Sequence, residues 1–147
     1  MAQDSALNTI PAYLTLIVVT PDRSVVTERV DEVEIPGADG YFGVLPGHTP
    51  LLAALQVGEL WYRKGHEKVY LSIAFGFAEV LPDQVTILAR LAERADEIDV
   101  ARAEAAKRRA EERLAHPVAE MDFERARIAL MKSLMRLQVS SRARTRA

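Results

Sequence analysis

Gly37-Ala38-Asp39-Gly40-Tyr41-Phe42-Gly43-Val44-Leu45-Pro46-Gly47-His48-Thr49-Pro50 is the stretch that the rest of the chain reads as supporting. Four glycines and two prolines within fourteen residues force repeated turns and exclude a regular helix. Tyr41, Phe42, Val44 and Leu45 interrupt the glycines with apolar bulk, so the segment reads as a structured corner between strands and not as a linker.

Outward from the corner, both flanks have strand character. Before it, Leu14 to Val19 alternates residues of high β propensity until Thr20-Pro21-Asp22 breaks the run; Ser24 to Val30 and Asp31 to Pro36 follow the same pattern. After it come Leu51 to Val57, Glu59 to Arg63, a turn at Lys64-Gly65-His66-Glu67, Lys68 to Ile73, Gly76 to Leu81, a turn at Pro82-Asp83-Gln84, and Val85 to Leu88. Short strands at this spacing predict a β-sandwich or flattened barrel over residues 10–91.

Near Ala89 alanine, glutamate and arginine take over, and no glycine occurs after Gly76. Asp96 or Asp99 is suited to cap a helix running to about Leu114, with Ala115-His116-Pro117 as its end. Its face at Ala103, Ala106, Ala110 and Leu114 is small enough for a partner helix to approach closely. That partner is expected in the next segment, capped by Asp122, with Phe123, Ala126, Leu130, Leu134 and Leu137 on one stripe and Ile128, Met131 and Met135 on its flank. A short connection around Pro117 to Met121 favours an antiparallel two-helix hairpin over residues 96–139, leaving 1–9 and 140–147 as flexible ends. Such a hairpin has little apolar surface to set against an ordering cost of about 1 to 2 kcal/mol per residue. Its position therefore depends on what it docks against, which suits a movable arm; a fixed appendage is the alternative.

The chain has 147 residues and no cysteine, which excludes disulfides, thiolate chemistry and thiolate metal sites. The first eleven residues do not read as a secretory signal, and no apolar run approaches the roughly 20 residues of a spanning helix. Charge is uneven: residues 1–89 hold eleven acids and five bases, residues 90–147 ten acids and fourteen bases. After Glu124 seven bases meet no acid, either as a solvated face or as a site for an acidic partner. His48, His66 and His116 lack metal-ligand spacing, the glycines precede no lysine and helix as a phosphate cradle needs, and no nucleophile has an evident base. A catalytic role is not expected.

The string from Pro36 to Leu51, followed about fifty residues later by Ile98-Asp99-Val100-Ala101-Arg102-Ala103, resembles the epsilon subunit of the F-type ATP synthase, with the likeness covering about Leu14 to Val139. The resemblance implies a non-catalytic rotor subunit of the central stalk. It would couple proton flow through the c ring to ATP synthesis, and its hairpin would restrain ATP hydrolysis. Implied partners are the gamma subunit, the c-subunit ring and acidic loops of the catalytic alpha/beta head. The implied location is peripheral, on the cytoplasmic side of the cell (inner) membrane, which is met only through the complex.

For c-ring contact the resemblance implicates Asp39, Gly40, Tyr41, Phe42 and His48. No cofactor is required, but a regulatory ATP is implied at Glu93, Ile98, Asp99, Arg102, Ala103, Arg109, Lys132 and Arg136. There an acid would accept hydrogen bonds from the nucleoside and arginines would pair with phosphate. Lys132 departs from the arginine of ATP-binding members and lacks its bidentate fork; Asp99 reads equally as a helix cap. Arg125, Arg127, Lys132 and Arg136 form the basic face expected to meet the head. A small β domain binding nucleic acid through a basic arm is the alternative function, opposed by overall acidity and the lack of aromatics among the terminal arginines.

Overall fold

Alternation at the start of the chain sets the first layer of the core: Leu14, Leu16 and Val18 are fully buried while Thr15, Ile17 and Val19 are half-buried on the other face. The computed structural model describes residues 9–116 and 120–144. Eight strands come first: β1 (Leu14–Val19), β2 (Ser24–Val30), β3 (Glu32–Gly37), β4 (Gly40–Val44), β5 (Leu51–Leu55), β6 (Gly58–Lys64), β7 (Glu67–Val80) and β8 (Gln84–Arg94). A 3-10 turn, Ala95–Glu97, leads into helices α1 (Val100–Ala115) and α2 (Glu120–Arg144).

Hydrogen bonding is continuous in the order β2-β1-β8-β7-β5-β3-β4, and β6 pairs with both β7 and β3. The first half of β7 carries β6 and the second half carries β5 on the same edge, so the sheet folds over on itself as a β-sandwich. Every strand contributes to one core, whose largest side chain is Tyr62. All pairings are antiparallel except β1 with β8.

Three departures from the sequence reading lie in the strands. The glycine-rich corner contains a strand, β4, which forms a tight hairpin with β3 through Gly37 and Gly40; Gly40 has φ 132°. Lys68 to Ile73 and Gly76 to Val80 belong to a single strand that passes through Phe75 (φ 60°) and Gly76 (φ 122°), and Leu81 lies just past its end. Finally, β8 runs on to Arg94, because Leu71 to Ala74 of β7 pair with its second half.

In the hairpin, Asp99 caps α1: its Oδ1 accepts the Arg102 N–H at 3.1 Å. Asp122 does not cap α2, which starts at Glu120; the connection expected at Pro117 to Met121 falls largely outside the described residues. The end expected to be flexible from residue 140 is helical as far as Arg144, with Val139 and Ser140 buried; residues 1–8 and 145–147 lie outside the description.

The buried line of α2 differs in part. Ala126 of the expected stripe is buried, but Phe123 and Leu134 are exposed, and Ser133 and Ser140, which continue from Ala126 in steps of seven, are buried with Val139, as are Ala103 and Ala110 of α1. Small side chains let helix axes approach closely. Ser133 and Ser140 fit because their hydroxyls donate at 2.8 Å to the carbonyls of Ala129 and Leu137 in their own helix.

Candidate functional site

Register places Glu59 of β6, Ser72 of β7 and Glu93 of β8 in one row across three strands, on the same face. Helix α2 lies on this row. Glu93 receives Arg136: Nε stands 2.7 Å from Oε1, and Nη2 donates to Oε2 at 3.1 Å. Glu59, whose side chain is only 8% exposed, receives Gln138 Nε2 on Oε2 at 3.1 Å and has Arg142 Nε 3.3 Å from Oε1. A carboxylate this desolvated requires such partners. Arg142 also stacks over the Tyr70 ring at 5.0 Å, and Lys132 lies 5.8 Å from the Phe75 ring. The hairpin is thus docked on the sandwich by charges, amides and aromatic faces. Gln138 and Arg142 contribute to this from around and beyond the expected Val139 boundary; Arg142 belongs to the run of bases after Glu124, whereas nothing in the residue pattern singles out Gln138.

At the junction Arg23 Nη2 donates to Glu97 Oε2 at 2.6 Å, tying the β1–β2 turn to the 3-10 turn. That hydrogen bond holds the Glu97 carboxyl below its ordinary value and raises the Arg23 guanidinium.

Of the residues implied for ATP, only Glu93 and Arg136 meet through their side chains. Asp99 is engaged as a cap, Ile98 and Ala103 are buried, and Arg102 and Arg109 are exposed on α1. Arg136, the phosphate partner in that reading, is already committed to a carboxylate.

The implied ring-contact set divides in two. Asp39, Gly40 and Tyr41 are exposed at the β3–β4 hairpin, with Phe42 half-buried behind them. His48 lies beyond the other end of β4, its Nδ1 2.6 Å from the Thr49 carbonyl and its loop held by the Gly47 N–H on the Pro82 carbonyl at 2.8 Å. A partner touching both must span edge strand β4, roughly 15 Å at 3.4 Å per residue. Of the basic set, Lys132 and Arg136 face the sandwich; Arg125 and Arg127 are exposed, with Arg127 paired to Glu124 at 3.1 Å.

One surface was not anticipated. Ala54, Phe77, Leu88 and Val19 are in register across β5, β7, β8 and β1, and Phe77 and Leu88 are both more than half exposed. Leu52, 72% exposed, extends the patch, and a groove of about 390 Å³ opens beside it between Pro21, Phe77 and Leu88. Alternation along β7 and β8 could have found it, had both strands been read as covered on two faces. Among the described residues, no cluster of His, Asp and Glu suited to a metal occurs, and no helix is long and apolar enough to cross a membrane.

Residues 13–95 match the profile of the ATP synthase delta/epsilon chain beta-sandwich domain, and residues 96–141 that of the delta/epsilon chain long alpha-helix domain. An ATP synthase epsilon chain of Syntrophobacter fumaroxidans is 52% identical over 129 residues, 88% of this chain and 96% of the relative. Another, of Koribacter versatilis, is 58% identical over 97 residues, 66% of this chain and 68% of the relative. A chain in the cryo-EM structure of the Euglena gracilis mitochondrial ATP synthase, OSCP/F1/c-ring in rotational state 1, aligns with a TM-score of 0.77 at 26% identity, covering 94% of this chain and 84% of that one. With sandwich and hairpin both matched in order, the chain belongs to the ATP synthase epsilon-chain family.

Proposed function

We propose that this chain is a non-catalytic rotor subunit of the central stalk, in which the sandwich is the anchor and the hairpin a releasable brake on ATP hydrolysis. The observation that carries this reading is the chemistry of the hairpin's seat. Its polar contacts to the strands are Arg136 on Glu93, and Gln138 and Arg142 on Glu59, beside Arg142 over the Tyr70 ring and Lys132 near the Phe75 ring. Water can replace such partners at far lower cost than it can cover an exposed apolar core, so lifting the hairpin leaves a wettable face.

Two other surfaces fit the partners of such a subunit. The Phe77, Leu88 and Leu52 patch suits the gamma subunit, since an exposed apolar patch of this kind marks a protein contact. The edge running from Asp39 and Tyr41 to His48 suits a broad, flat partner, as the c ring would be, and coupling of proton flow to synthesis would pass through it. Attachment to the membrane is then indirect, on the cytoplasmic side.

Arg125 and Arg127 are the cations of the basic face left outward in the docked state, and they are assigned to steering the lifted hairpin toward acidic loops of the head. Replacing both with glutamine in the full chain is expected to relieve inhibition of a reconstituted catalytic head without releasing the subunit. Undiminished inhibition would count against the assignment.

ATP, as a regulator, would act at the Glu93–Arg136 pair, which it must open or bridge. Calorimetry with ATP on the wild-type chain and Arg136→Gln tests this: binding heat lost in the variant supports the site, and identical heats remove it.

A further inference from the structure

We propose that Glu59 is a coupling residue through which the Tyr41 corner and the docked hairpin sense each other. The partners named for the corner and the hairpin rest on the reading above; the linkage is a property of the chain itself.

Glu59 is held at two ends by two different elements. Its backbone N–H donates to the Tyr41 hydroxyl at 3.1 Å, and its carboxylate is held by Gln138 and Arg142 of α2. The ladder between β3 and β6 joins Glu32, Val33 and Glu34 to Arg63, Tyr62 and Trp61, and so stops short of Glu59. In an antiparallel strand, a residue's N–H and C=O point to the same edge. With its N–H on Tyr41, Glu59 therefore faces Ser72 as a non-hydrogen-bonded pair, and the phenol substitutes for the missing strand partner.

The preceding residue is built for this contact. A Cβ on Gly58 would meet Pro36 and would stand 2.6 Å from the Tyr41 oxygen, so only glycine lets the phenol reach the strand. Tyr41 itself is 49% exposed at the corner, where a partner can reach it.

A partner that draws Tyr41 away removes one restraint on the Glu59 main chain, leaving only the β7 ladder, and the carboxylate is held less firmly under Gln138 and Arg142. The polar anchor of the last two turns of α2 is then weakened. Thermodynamic reciprocity requires the converse: a docked hairpin must hold the Tyr41 seat by the same factor.

Amide hydrogen exchange on the isolated full chain tests this without any partner. Tyr41→Phe, which deletes only the hydroxyl, is expected to speed exchange at residues 137–141 about fivefold, the weight of one net hydrogen bond. Arg142→Gln is expected to speed exchange of the Glu59 amide by a similar factor, with β1 and β8 amides unchanged in both variants. Combining the two should add little to either alone. Exchange that rises only beside each substitution would overturn the coupling, and so would a uniform rise through β1 and β8, which reports loss of the sandwich. A chain that fails this test yet still inhibits the reconstituted head retains the brake and loses only the linkage.

Discussion

Gly76 is the residue on which the long strand β7 turns. Its φ of 122° is open to few side chains, and a Cβ there would collide with the Leu88 carbonyl of β8. Gly76→Ala is therefore expected to cost several kcal/mol, combining backbone strain with displacement of a neighbouring strand; a midpoint of denaturant unfolding within error of wild type would contradict this. Asp99 presents a narrower question, since one carboxylate is assigned both a cap and a nucleotide contact. Asp99→Ala should cost about 1 kcal/mol of hairpin stability, and Asp99→Ser should recover most of it, because serine caps as well as aspartate. If serine restores the helix but not ATP heat in calorimetry, the carboxylate has a second role; if it restores neither, the cap is not what stabilises α1.

Among the elements, those with strong local patterns were legible in sequence. Leu14 to Val19 alternates and forms β1, and α1 begins directly after one of the two aspartates proposed as its cap. Non-local pairing was not legible: nothing in Leu14–Val19 or Gln84–Arg94 announces that β1 and β8 run parallel. The corner concealed β4 because glycines at 40 and 43 lower strand propensity, while its pairing with β3 supplies the order. In α2, apolar periodicity points to Phe123 and Leu134 as well as Ala126; of these only Ala126 is buried, and Ser133, Val139 and Ser140 join it. The candidate site was half legible for a similar reason. Glu93 and Arg136 were marked by resemblance, but Glu59 is an ordinary glutamate in a strand until the fold places α2 over it.

The junction between sandwich and hairpin carries its own pH dependence. Glu97 is depressed in the folded chain by its hydrogen bond from Arg23, so the associated stability is fully present above the ordinary glutamate value of about 4.3 and is lost as pH falls through the lower folded-state value. Protection of the amides at the 3-10 turn, taken relative to their intrinsic exchange rate at each pH, should fall on acidification through that window, and Glu97→Gln should flatten the response. An unchanged profile in the variant would assign the effect to other groups.

At the scale of the whole molecule, the chain joins a sandwich with one core to a hairpin that shares little of that core. Salt should separate the two. Raising ionic strength weakens pairs that keep contact with water, such as Arg136–Glu93, and leaves apolar burial intact, so exchange should rise in α2 before it rises in β1 or β8. Simultaneous exposure of both would mean that the hairpin and the sandwich form a single cooperative unit.

Whether the hairpin is the brake can be read from ATP hydrolysis by a catalytic head depleted of its own epsilon chain. The head is reconstituted in parallel with the full chain and with a version ending at Glu97, which keeps β8 and the Arg23 pair. Both versions are expected to bind, and only the full chain to slow hydrolysis. Equal rates with both versions bound would contradict the assignment of the hairpin as the brake.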